Sequence, residues 1–167
     1  MATVTQVLFP ENAAFLASSF PAFARNLGTN FPVTALAYDA AAQENAYWKV
    51  QAVNYGSGNL TLTVLWYADT ATTGVVRWDT AIAAITPDTD SQDVETKAFA
   101  TAQAVDDTHL GTTGQRLHTC AITISNLDSL ATGDACFLRI SRLGNHANDT
   151  MAGDAFLERA ILTYSDT

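Results

Sequence analysis

The sequence predicts an all-β protein, a jelly-roll sandwich of about eight strands preceded by an extended arm. Three observations lead there. Apolar and polar residues alternate with period two over most of the chain. Turn residues punctuate it at intervals of roughly 8–12 residues, and no long helical period competes. Finally, Asn45–Val53, Leu60–Ala68 and Gly74–Ile85 read as successive strands, each with one tryptophan in its apolar phase: Ala46/Trp48/Val50/Ala52, Leu60/Leu62/Val64/Trp66/Ala68 and Val76/Trp78/Ile82/Ala84. Alternation puts each set on one face of its strand. The three indoles are therefore predicted to form the floor of a single core. Tyr47, Lys49, Gln51, Thr61, Thr63, Tyr67, Arg77 and Asp79 occupy the opposite, outward phase. Gly56-Ser57-Gly58 and Thr70–Thr73 read as the turns that join these strands, the first as a hairpin link.

Residues 1–33 read differently. Phe9-Pro10, Phe20-Pro21 and Phe31-Pro32 recur there. Proline fixes φ and removes a backbone donor. The segment is predicted to be an extended arm with aromatic anchors, lying on an edge of its own sandwich or on a neighbouring subunit. Residues 34–167 then form the sandwich domain, with Val33–Asp39 as the first strand. After the tryptophan strands, Pro87–Thr96 reads as an acidic loop, Lys97–Val105 as a strand and Asp106–Gly114 as a polar loop. Arg116–Ser125 is a clear strand. Asn126–Leu130 reads as one helical turn capped by Asn126, with Gly133 ending the segment. Ala135–Leu143 and Ala155–Tyr164 close the chain. Long connections between some of these strands suit Greek-key crossings.

The chain has 167 residues, 48 % of them apolar, enough for one domain with a full core. Its net charge is −9, from 17 acids against 8 bases. That excludes binding to a phosphate backbone through a basic patch, and docking on an anionic membrane surface. No apolar run reaches the roughly 18 residues of a spanning helix. Met1–Thr5 shows no basic region followed by an apolar core, so the chain is expected to be made in a cytoplasm without a secretory signal. Cys120 and Cys136 fall in apolar strand phases and are expected to be free, buried thiols. A hairpin centred near Leu130 would set Cys120 opposite Ile140, out of register with Cys136; a bridge stays open only if the two strands lie in opposite sheets.

No catalytic motif stands out. Acids cluster in three loops: Asp88, Asp90, Asp93 and Glu95; Asp106, Asp107 and His109; Asn145, His146, Asn148, Asp149 and Asp154. Such loops can bind calcium, yet none has EF-hand spacing, and Asp and Asn serve turns just as well. The third set is the best of them for a metal, but no metal or other cofactor is expected. His109, His118 and His146 match no zinc spacing, and His118 shares its phase with Cys120 and Ile122. No serine sits in a Gly-x-Ser-x-Gly turn. Glu44, Glu95 and Glu158 have no reason to face one another as glycosidases require. The protein is expected not to be an enzyme.

The outward aromatic residues Tyr47, Tyr55 and Tyr67 suit either a subunit interface or stacking on a sugar ring, for which Tyr55 and Tyr67 are singled out. The runs Ala46-Tyr47-Trp48, Leu60–Trp66, Thr73–Trp78 and Asp149–Ala155 resemble small jelly-roll structural proteins of tailed bacteriophages: cement, decoration or fibre-like virion components. The resemblance covers about residues 33–164 and leaves out the arm. It implies a homotrimer fixed to a phage capsid or tail protein, located in the virion, with no cofactor and no catalytic residues. On that reading Tyr47, Leu65 and Tyr67 form the interface, with no part for nucleic acid or membrane; the arm, on which the resemblance is silent, is expected to add Phe9, Phe20, Phe23 and Phe31 as anchors. The alternative is a carbohydrate-binding β-sandwich module used in host attachment.

Overall fold

The period-two segments become strands in the computed structural model, which describes residues 2–166. They are β1 (Thr3–Leu8), β2 (Ala22–Leu27), β3 (Pro32–Tyr38), β4 (Gln43–Gln51), β5 (Leu60–Ala68), β6 (Val75–Ile85), β7 (Gln103–Thr108), β8 (His118–Ile124), β9 (Ala135–Leu143) and β10 (Ala155–Ser165). A front sheet runs β2-β3-β10-β5-β8, with β1 also paired to β10. A back sheet runs β4-β9-β6-β7. From β3 onward the chain crosses between sheets at every step except β6 to β7. The set β3-β10-β5-β8 facing β4-β9-β6-β7 is the jelly-roll order, as the sequence predicts.

The apolar phases meet between the sheets. Trp48, Trp66 and Trp78 are all buried there. Trp66 and Trp78 approach with ring centroids 6.4 Å apart. Tyr38 stands edge-on to Trp78 and donates its hydroxyl to the Ile140 carbonyl at 3.0 Å. Each indole removes roughly 150–250 Å² from water, an upper-bound gain of about 4–6 kcal/mol.

The indoles do not line one floor, however. β5 belongs to the front sheet, whereas β4 and β6 belong to the back sheet with β9 between them. Period two reveals which residues point inward but not which wall carries them. Residues 56–58 and 70–73 are therefore arches between sheets rather than hairpin turns. β8 and β9 likewise face each other across the core. Cys120 and Cys136 are buried and free, and burial pushes both thiols up to about 12. Asn126–Leu130 is a turn, not helical: Asp128 and Ser129 have φ of 55° and 62°, outside any right-handed helix. Residues 97–102 are not strand. They lie across the back sheet, where the Ala100 N–H donates to Ile82.

The N-terminal segment is extended, but it lies on its own sandwich. β1 runs beside β10 from Thr3↔Ser165 to Leu8↔Ala160. The chain then crosses to the back sheet, where Ala14 exchanges two backbone bonds with Tyr47 and Ser19 accepts from Asn45. The Trp48 indole N–H donates to the Phe9 carbonyl at 2.9 Å. β2 returns to the front sheet and pairs with β3 along its length. A boundary at residue 34 falls inside β3.

Candidate functional site

β10 serves two partners along one edge. Ala155–Leu157 pair with β3, and Ala160–Ser165 pair with β1. On the other edge its register with β5 shifts between Leu157 and Arg159. A bulge of this kind re-aims side chains. Here it brings Glu158 and Arg159 together on the outer face of the front sheet, with Arg159 Nε donating to Glu158 Oε2 at 2.7 Å.

That pair borders a groove of about 590 Å³. Val33 and Tyr67 form its floor. The end of β2 and the turn to β3 supply Asn26, Leu27, Gly28 and Phe31 on one side; Gln115 and Leu117 stand on the other, and Asp69 also lines the groove. Phe31 is 68 % exposed and Leu117 51 % exposed, so the groove carries apolar rims in water. Tyr67 is only 8 % exposed. Its ring stacks on Phe156 at 5.1 Å, and its hydroxyl accepts from Asn26 Nδ2 at 2.8 Å. Burial raises its pKa, so the phenol stays neutral. A Cβ at Gly28 would lie 2.5 Å from the Phe31 carbonyl oxygen, so this turn needs glycine to close as it does.

The Leu117 side of the groove rests on two histidines. The Leu110 N–H donates to His118 Nε2, and the Gly111 N–H donates to His109 Nδ1, both at 3.0 Å. The two rings lie 4.4 Å apart, and His118 stacks on Trp66. Burial, followed by the neighbouring His109, lowers the pKa of His118. A protonated Nε2 would meet the Leu110 N–H donor to donor. The unfolded chain therefore takes up a proton that the native state resists, and stability present above pH 6.5 is lost as the pH falls below it. Glu44 and Asp154, whose carboxyls burial raises, act in the opposite sense. The melting temperature of wild type relative to His118→Gln isolates the effect: the difference should shift against wild type as the pH falls from about 7.5 to about 5. Parallel profiles would refute the assignment.

The other candidates are dispersed. Tyr55 is buried against Tyr164 and donates its hydroxyl to the Gly58 carbonyl at 2.6 Å, so it has no free face for a sugar. Leu65 and Tyr67 belong to the front sheet, whereas Tyr47 lies on the back sheet between clefts of about 560 and 430 Å³. These residues do not share one outward patch, because β4 and β5 lie in different sheets. Phe9, Phe20, Phe23 and Phe31 are all exposed.

The acids are consumed locally. Asp90 and Asp93 accept from backbone N–H groups of their own loop. Asp106 pairs with Arg77, and Asp107 accepts the Trp66 indole N–H at 2.7 Å. Asp149 holds the buried Arg142. Among the described residues, no group of three or more His, Cys, Asp or Glu is arranged for a metal. Glu44 binds the Asp39 N–H at the start of β4, Glu95 lies in the loop after β6, and Glu158 lies on the β10 bulge. Sequence reasoning missed the groove because its members come from four separate segments and the bulge breaks the alternation that would have flagged Arg159.

No family model matches the chain, and no curated protein matches it. Solved structures do. The chain is similar to a non-crystalline cellulose specific carbohydrate-binding module of family 28, with a TM-score of 0.52, 9 % identity, and coverage of 89 % of this chain and 85 % of that one. It is also similar to a family 35 module from Cellvibrio japonicus, with a TM-score of 0.49, 13 % identity, and 98 % and 99 % coverage. At such identities the likeness is one of fold.

Proposed function

We propose that this protein is a non-catalytic carbohydrate-binding β-sandwich and that a glycan lies in the front-sheet groove. The carrying observation is the groove itself. Apolar rims at Phe31 and Leu117 flank a groove whose walls and border also present Asn26, Gln115, Glu158 and Arg159. Sugar recognition needs this mixture: apolar surface for the C–H faces of the rings and a few fixed polar groups for the hydroxyls. Electrophoresis in native gels containing soluble cellulose derivatives, xylan or galactan tests it. At least one gel should retard the wild-type protein. Phe31→Ala should weaken that retardation roughly tenfold, the worth of one stacked ring. Free migration in every gel, or retardation unchanged in Phe31→Ala, overturns the reading.

A second reading keeps the protein as a virion component of a tailed phage. The rings of Phe9 and Phe20 favour it, since they stay 42 % and 44 % exposed, Phe20 even though it meets Phe15 at 5.7 Å. Co-sedimentation with phage shells separates the two readings.

A further inference from the structure

β2 ends the front sheet. One side is paired with β3; along the other, alternate N–H and C=O groups point out of the sheet. Natural edge strands are blunted by lysine, proline, bulges or a covering segment. Among the described residues, Ala22-Phe23-Ala24-Arg25-Asn26-Leu27 has no lysine, proline, bulge or covering backbone bond; its one charge is Arg25, and its register with β3 is unbroken. The contrast with β4 is direct, because Ala14 and Ser19 cover that edge. β2 also reaches beyond the core. Phe23 pairs with Leu36 and so shares its inward face, yet Phe23 is 52 % exposed and Leu27 82 %.

We infer that β2 is a dimerisation edge: two copies of this chain pair β2 to β2, antiparallel about a two-fold axis, and join their front sheets. A strand paired with itself is isologous, so one surface supplies both halves. Charge permits it here and opposes it elsewhere. The chain carries −9, yet residues 12–38 contain no acid and a single base, Arg25. Copies that repel through their acidic loops meet least repulsion at this edge. The exposed parts of Phe23 and Leu27 from both copies, together with the paired ribbons, bury on the order of 1,000 Å², the size at which a specific interface begins, and Phe31 stays on the rim of the groove.

Sedimentation velocity of the intact protein over roughly 1–100 µM tests this. The expected result is a monomer–dimer equilibrium. Phe23→Glu and Leu27→Lys should each weaken it at least about 30-fold, and Leu27→Lys, on a side chain 82 % exposed, should do so with the melting temperature of the monomer unchanged. Arg25→Cys carrying a nitroxide should show a label pair within about 20 Å in the dimer, because paired strands lie about 4.8 Å apart. Cys120 and Cys136, buried and un-ionised, stay unlabelled. A monomer at every concentration, a trimer, a dimer indifferent to both substitutions, or distant labels would each overturn the inference. Capture of a foreign strand by β2 in place of a second copy would overturn it too.

Discussion

Replacing Asp149 with asparagine is expected to destabilise the protein by about 3–5 kcal/mol, because it leaves Arg142 buried without its counter-charge. Arg142 lies inside β9 and is fully buried. Its Nε and Nη2 donate to the two oxygens of Asp149 at 3.0 and 2.8 Å. Nη1 donates to the carbonyls of Tyr38 and Gly153, and Nη2 to that of Met151. All five guanidinium N–H groups are thus used. Asp149 also accepts the Arg77 N–H, so one carboxylate ties the loop after β9 to β6 as well. Glycine 74 lets that loop sit close: a Cβ there would lie 2.6 Å from Met151 Cα. Urea unfolding measures the loss. The double variant Arg142→Met/Asp149→Leu should recover part of it, since removing both charges also removes the desolvation cost. A loss under about 1 kcal/mol in Asp149→Asn would show that the loop stands without the ion pair.

This loop also shows where sequence reading stops. Its acids and asparagines read as the best metal site of the chain, since composition reports oxygen donors and says nothing of what fills the space between them. The filler is a cation from a neighbouring strand, Arg142, whose phase in β9 is that of Leu138 and Ile140; an arginine in that phase was the one available warning. The core was legible because Trp48, Trp66 and Trp78 need burial wherever they sit, and alternation records it residue by residue. Sheet membership was not, because the arches at residues 56–58 and 70–73 are as short and polar as hairpin turns. The groove was half visible. Tyr67 stood out by phase, but Glu158 and Arg159 reach the outer face through a bulge in the pairing of β10 with β5, a tertiary feature with no local trace.

Trp66→Ala is expected to cost about 3–5 kcal/mol and to weaken any ligand bound in the groove. Trp66 is fully buried at the end of β5 and holds three contacts together. It stacks on His118 at 4.4 Å, meets His109 at 6.1 Å and approaches Trp78 from the opposite sheet. Its indole N–H is also the donor to Asp107. Truncation opens a cavity beneath both histidines and leaves a carboxylate without its partner, two separate costs. Trp66→Phe keeps an aromatic ring but loses the donor and part of the indole's volume, so it should cost less, about 1–3 kcal/mol. The ordering of the two variants is the informative part. If packing of the indole supports the loop that carries Leu117, binding should fall more in Trp66→Ala than in Trp66→Phe, in step with stability. Equal losses in both would assign the effect to the Asp107 hydrogen bond instead. Full binding with native stability in Trp66→Ala would remove this ring from the support of the groove altogether.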